Sequence, residues 1–333
     1  YVKDGLPDLG GALDDGCDRL TIVACGTAMH AGLVGKWLIE KLARVPTEVS
    51  IASEFRYNDP VLKPGQRVIA ISQSGETADT LAAVRLAKAL GARVLAVVNV
   101  PGSSVAREAD DVLITCAGPE ISVASTKAYT VQLVTLYLIA VRMGLANGAL
   151  DEGRARALVR EMAELPGEIE RVIAESGQIR NMAKLLDDAE NCFFIGRGLD
   201  CPGAMEGSLK LKEISYIHSE SYAAGELKHG AISLITAGMP VVALATSAAL
   251  KEKMRSNMRE VRSRGARVLL IAAPGTEDLA EDADETLALP GADALLSPVS
   301  AAVAMQLLAY HAAVRRGCDV DKPRNLAKSV TVE

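Results

Sequence analysis

The sequence predicts an α/β protein. It reads as two tandem subdomains from an internal duplication, each a mostly parallel sheet flanked by helices in three layers. Three observations carry this. The runs TIVAC, VIAIS, LAVVN, VVALA and VLLIA are apolar throughout, as strands buried on both faces must be. Longer helix-period segments alternate with them, and such alternation gives parallel strands joined by right-handed crossovers. The pattern then repeats: aligning Gly26 with Gly196 gives an offset of 170 residues, and aligning Gly91-Ala92-Arg93 with Gly265-Ala266-Arg267 gives 174.

Taken in order, strands are expected at 20–25, 47–52, 67–72, 93–99 and 111–115, then at 192–195, 240–246, 267–272 and 286–289. Helical periodicity marks 30–43, 77–90, 127–143, 250–264 and 299–314. The stretch 151–188 is charged, helical in pattern and without a strand signal. The expected organisation is a first subdomain at 1–150, a helical connector at 151–189, a second subdomain at 190–318 and a tail at 319–333.

Composition bounds the function. Of 333 residues, 49% are apolar and 23% charged, which excludes a disordered chain, a collagen and a coiled coil. The net charge of −6 argues against a nucleic-acid footprint, so an anionic ligand has to be held locally. The chain opens YVKDGLPDLG, without a basic or apolar leader. Starting at Tyr1 rather than Met, it is expected to be a piece of something longer. The longest apolar stretch, 131–141, falls short of the ~20 residues of a membrane helix. Cys17, Cys25, Cys116, Cys192, Cys201 and Cys318 show no C-x-x-C spacing, and the four histidines are scattered. No metal, cofactor or disulfide framework is expected, and a cytoplasmic location follows as the default.

The most informative segment is Ser72-Gln73-Ser74-Gly75-Glu76-Thr77, between a buried strand and a long helix. The first N–H groups of a helix lack intrahelical partners and carry partial positive charge. Hydroxyls at Ser72, Ser74 and Thr77 around a glycine add donors, which makes a seat for phosphate. One hydroxyl there would ordinarily be a helix cap; three around a glycine favour the anion. A dinucleotide site fits less well. Cys25-Gly26-Thr27-Ala28 is not G-x-G-x-x-G, and Cys201 stands where the third glycine after Gly196-Arg197-Gly198 belongs. The second copy reads Ala245-Thr246-Ser247-Ala248, so only the first half is equipped for phosphate. Read alone, Ser125 and Thr126 are caps of the helix at Lys127, and Lys210 and Glu213 are a surface ion pair. His229 fits a satisfied loop histidine equally well, and read alone Lys322, Arg324 and Lys328 belong to a solvated tail.

Several motifs run in order: Cys25-Gly26-Thr27, Ser53-Glu54-Phe55-Arg56-Tyr57, the 72–79 loop and Val123-Ala124-Ser125-Thr126-Lys127. They continue with Lys212-Glu213-Ile214-Ser215-Tyr216, the segment 223–230 and the ending 319–333. Together they closely resemble the isomerase (sugar-isomerase, SIS) half of the glucosamine-6-phosphate synthases, over nearly the whole chain. The resemblance implies that fructose 6-phosphate is opened, ammonia condenses at C2, and a proton moves from C1 to C2 to give glucosamine 6-phosphate. It implies Glu213 as the base, Lys210 as its charge-stabilising neighbour, His229 in ring opening and Lys328 as an amine toward the open-chain carbonyl. Ser72, Gln73, Ser74 and Thr77 would hold the phosphate, and Thr27, Val123, Ser125 and Ala327 would contact substrate. Ala28 departs from members with serine there, which removes one hydroxyl. The resemblance further implies a homodimer, in which His229 serves the partner's site, and ammonia from a glutaminase domain missing from these residues. The rivals are an SIS regulator that binds sugar phosphate without turnover, and a fructosamine-6-phosphate deglycase. Glu213, His229 and Lys328 together speak against the first, and the ending 325–333 against the second.

Overall fold

The computed structural model describes residues 1–291 and 293–332; the last residue of the expected tail, Glu333, lies outside them. Contacts divide the chain into two compact units. The first holds Tyr1–Ile121, Ser125–Ala163 and the chain end from Ala327, and the second holds Ser122–Ala124 and Glu164–Leu326.

In the first unit, β1 (Leu20–Ala24), β2 (Thr47–Ile51), β3 (Arg67–Ser72), β4 (Arg93–Val98) and β5 (Asp111–Ile114) form one sheet in the order β2-β1-β3-β4-β5. Every ladder is parallel, with Ile22 opposite Ile69 and Ile69 opposite Leu95. The buried strands explain the unbroken aliphatic runs, because both faces are covered. Helices α1 (Gly26–Leu42) and α3 (Lys127–Ala146) pack together on one side. On the other, Ala83, Val84 and Ala87 of α2 (Ala78–Ala89) join Val68, Ala70, Val94 and Val98 in one apolar cluster.

The second unit repeats the plan. After α4 (Glu152–Ala174), it places β6 (Asn191–Gly196), β7 (His218–Ala223), β8 (Pro240–Ala245), β9 (Arg267–Ala272) and β10 (Glu285–Ala288) in the order β7-β6-β8-β9-β10, all parallel. Helices α5 (Asp200–Ser215) and α7 (Ser297–Arg315) share a core with Phe194, Val242, Leu244 and Leu269. Helix α6 (Lys251–Arg262) packs Met254, Met258 and Val261 against Val241, Ala243 and Leu270. Strand for strand the two sheets have one topology, as the duplicated pattern predicts.

Two features differ from the sequence expectation. Strand β7 reads HSESYA and was not anticipated. It is an edge strand paired to β6 alone, so it lacks the two buried faces that impose an apolar run. Its Ser219 hydroxyl instead donates to the Ser208 carbonyl at 2.8 Å, pinning the strand to α5. The 131–141 stretch lies within a longer helix: α3, like α7, is long and apolar enough to span a membrane by composition, yet most of each is buried within the protein.

At the carboxyl edge of the second sheet, the Asp200 carboxylate accepts hydrogen bonds from the Thr246 N–H (2.8 Å) and hydroxyl (2.5 Å). Thr246 follows β8 as Gln73 follows β3. In the second copy, the donors at this place are therefore taken by the chain's own carboxylate. Asp200 is almost wholly buried, and desolvation pushes its pKa up to about 7 despite the Thr246 bonds. The native state thus holds a proton that the unfolded state has lost between about pH 4 and pH 7, so stability falls as pH rises through that window. Urea unfolding should show wild type losing up to about 1.4 kcal/mol per pH unit there relative to Asp200→Asn. Parallel stability profiles for the two proteins would contradict this.

Candidate functional site

The first unit's site is built on the turn from β3 into α2. Ser72, buried at the end of β3, accepts the Gly75 N–H at 3.0 Å and lies 3.2 Å from the Thr77 hydroxyl. The Ser74 hydroxyl accepts the Glu76 N–H at 3.2 Å. Gly75 has φ +66°, and a Cβ there would stand 2.0 Å from the Ser103 hydroxyl, so only glycine fits. The loop is also tied down from outside. Val105 N–H donates to the Gly75 carbonyl at 2.9 Å, and Asn99 N–H to the Gln73 carbonyl at 3.1 Å. Glu76 accepts the Ser104 N–H at 2.8 Å, and the Ser104 hydrogen bonds hold its carboxyl below the usual carboxylate range. Thr77 occupies the cap position of α2 but makes no side-chain capping bond. Its hydroxyl pairs with Ser72 instead. Thr27 and Ala28 lie in the first turn of α1, at the end of the neighbouring strand β1.

The same unit holds the chain end. Lys328 Nζ donates to the Ser125 hydroxyl at 3.2 Å, and Ser329 Oγ lies 3.1 Å from Ser74 Oγ. The Val330 carbonyl accepts the Ala78 N–H at 3.1 Å. Ser125 is thus a partner of Lys328, and the expected capping of α3 by Ser125 or Thr126 is not what is found. The Glu120 carboxylate caps α3 instead, accepting the N–H groups of Thr126 (3.2 Å) and Ala128 (2.9 Å). No local capping pattern signals this, because the carboxylate arrives from a loop six residues upstream. Ala327, beside Lys328, is exposed.

In the second unit, α5 presents Glu206, Lys210 and Glu213 on one face. Lys210 is 2% exposed, with Nζ 2.5 Å from Glu213 and 3.4 Å from Glu206, which is itself buried. The pair expected on the surface is therefore internal. Burial works to lower the Lys210 pKa, but the two carboxylates outweigh it and the net direction is up. Glu206 was missed, although its i, i+4 spacing to Lys210 was readable. The Ser208 and Ser219 hydroxyls, 3.0 Å apart, fix the helix to β7. At the end of α5, Tyr216 adopts φ +61°; its hydroxyl accepts the Arg324 N–H at 2.8 Å, and the Arg324 guanidinium sits 4.2 Å over its ring. Val123 belongs to this unit, its N–H donating to the Asp321 carbonyl at 3.1 Å. His229 is exposed at the end of the short helix Ala224–His229.

Two parallel five-stranded sheets of one topology, one of them with a hydroxyl-rich strand-to-helix loop, define a doubled α/β class, and the comparisons with known proteins name the family. The model of the SIS domain matches residues 16–142 and 185–316. Glutamine–fructose-6-phosphate aminotransferase (isomerizing) of Clostridium acetobutylicum is 54% identical over 316 residues, 95% of this chain and 52% of the relative. The protein of the same name from Symbiobacterium thermophilum is 56% identical over 315 residues, again 95% and 52%. Among solved structures, the C-terminal domain of glucosamine-fructose-6-phosphate aminotransferase from Francisella tularensis superposes with a TM-score of 0.93 at 39% identity, covering 97% of this chain and 92% of that one. The chain belongs to the SIS-domain family and, within it, to the isomerase halves of the glutamine–fructose-6-phosphate aminotransferases. It spans about half the length of the curated relatives it matches.

Two outcomes follow from this geometry. Gly75→Ala should weaken the binding of inorganic phosphate at least about tenfold, since both the backbone and Ser103 resist a Cβ; calorimetry reads this, and unchanged affinity would place phosphate elsewhere. Glu206→Gln removes one negative neighbour of Lys210, so the Lys210 pKa falls. The alkaline limb of the kcat/KM profile should then move to lower pH, and a fixed limb would separate Lys210 from the rate.

Proposed function

We propose that this chain binds fructose 6-phosphate and, with ammonia, converts it to glucosamine 6-phosphate. Ser72, Gln73, Ser74 and Thr77 hold the phosphate, while Thr27, Val123, Ser125 and Ala327 contact the sugar or its phosphate side. His229 assists ring opening, and Lys328 acts as an amine on the exposed C2 carbonyl. The lysine nitrogen bonds to C2 and the C2 oxygen leaves as water; ammonia then displaces that nitrogen, which frees the Lys328 amine and leaves an imine at C2. Glu213 then removes a proton from C1 and returns it to C2 while the C1 hydroxyl proton passes to the nitrogen, so that C1 becomes the aldehyde and C2 bears the amine. Lys210 stabilises the negative charge that develops on oxygen.

The observation that carries this reading is the buried Lys210 ammonium 2.5 Å from the mostly buried Glu213. Burying a lysine is costly unless it is paired, and a protein that only sensed sugar phosphate would gain nothing from the arrangement. The relatives' name adds glutamine as the nitrogen source; for the 333 residues here the proposed source is free ammonia. A homodimer in the cytoplasm completes the proposal. Exposed His229 is available to a second copy, and two-fold dimers are the commonest assembly.

Incubation with fructose 6-phosphate should yield glucosamine 6-phosphate when ammonia is added and none when glutamine is. Efficient glutamine-dependent product would refute the assignment of nitrogen source. Glu213→Gln should lower kcat by about 10²–10⁴-fold while KM stays within a few-fold. Undiminished turnover would remove Glu213 as the base.

A further inference from the structure

We propose that Arg197 is a positioning residue for His229: its guanidinium sets the backbone of segment 224–229 against α6, and so fixes where the histidine acts. This deepens the reading that assigns ring opening to His229, and rests on it. All the residues concerned belong to the second unit.

The turn Gly196-Arg197-Gly198 begins like a dinucleotide fingerprint, but its glycines have a different cause. A Cβ at Gly196 would stand 2.5 Å from the Asp200 carbonyl oxygen, so glycine lets the start of α5 close over the end of β6. Gly198 has φ +58°, in the region that favours glycine. Arg197 is the one side chain between them, and its guanidinium has two neighbours. Nε donates to Oδ1 of Asn257, a buried residue of α6, at 2.9 Å. The far end lies against Gly225, where a Cβ would stand 2.9 Å from one terminal nitrogen and 3.4 Å from Cζ. The backbone at Gly225 is not left-handed, so the guanidinium, not the turn, is what excludes a side chain there.

Gly225 precedes His229 within the short helix that ends at the histidine. Two further contacts hold this segment. Leu227 is fully buried in one apolar cluster with Met254 and Met258 of α6. Lys228 Nζ lies 3.5 Å from Glu260, but that lysine is 57% exposed and such a pair adds little. Downstream, Gly230 has φ +143° with open space where a Cβ would be, so the chain after the histidine offers no packing there. The position of His229 therefore comes from upstream. Apolar burial is non-directional, and Leu227 alone leaves the segment free to turn. The guanidinium is planar, and its bond to Asn257 orients it; Gly225 rests against that oriented group. A general acid or base works only within hydrogen-bond reach of the atom it serves, and a displacement of about 1 Å can cost roughly 10²-fold.

The test is a double-mutant cycle on the whole chain, reading kcat/KM for fructose 6-phosphate with saturating ammonia. Arg197→Ala should lower kcat/KM about 10–100-fold in the wild-type background. In the His229→Ala background it should cost less than about twofold, because a residue acting through the histidine then has nothing to position. A purely structural role costs the same in both backgrounds, and equal losses overturn the inference. So does an unaffected Arg197→Ala. Gly225→Ala pushes the guanidinium aside without deleting it; it should show the same dependence on His229, and it carries the test should Arg197→Ala fail to fold. Asn257→Asp keeps the acceptor and should stay within a few-fold of wild type, whereas Asn257→Leu should follow Arg197→Ala. Equal rates for the two Asn257 variants also overturn the inference. His229→Ala separates the two levels. If it retains wild-type kcat/KM, the ring-opening role falls, and the basis for Arg197 falls with it. If it is slowed while Arg197→Ala is not, only the role of Arg197 falls.

Discussion

Parallel strand pairing is the constraint on which each unit depends. Consecutive parallel strands cannot be joined by a tight turn, so every return crosses a face of the sheet, mostly as a helix. Ten strands in two five-stranded sheets are paired this way, which buries the central strands on both faces. All carboxyl ends then emerge along one edge of each sheet, and ligand sites form at that edge where the strand order reverses. The 72–77 loop leaves β3 at such a point, between β1 and β4 in the sheet.

The two copies use that edge differently, and the difference lies in how charge is satisfied. In the first, the Thr77 hydroxyl is not spent on capping, and the loop is held from outside by the N–H groups of Asn99, Ser104 and Val105. In the second, Asp200 occupies the donors of Thr246 from within. The Asp200 side chain closes the turn from within, and the donors of Thr246 are already occupied. The second copy carries its charge elsewhere, in the ion pairs of α5. There Lys210 is tolerable in the interior only because carboxylates flank it on both sides.

Much of this was legible in the chain. The unbroken aliphatic runs marked the buried strands, the two offsets marked the duplication, and the clustered hydroxyls marked the loop. What escaped has identifiable causes. Strand β7 lies at an edge, so its HSESYA sequence carries no apolar signature. Glu206 reads as one more helix carboxylate until burial is known. The Glu120 cap comes from a loop, outside any local capping pattern. The pair Lys210–Glu213 was visible by spacing, but spacing alone favours the exposed arrangement that is common for such pairs.

By itself, the sequence determined the fold class, the doubling and the chemical character of one loop, because these depend on local periodicity and on residue types at a strand-to-helix turn. Tertiary structure decided which polar groups are desolvated and which distant groups meet. It took Lys210 into the interior, set Asp200 on Thr246 and laid Lys328 and Ser329 against Ser125 and Ser74. Those pairings join residues up to 255 positions apart, and desolvation is a property of the packed chain, so no local pattern encodes either.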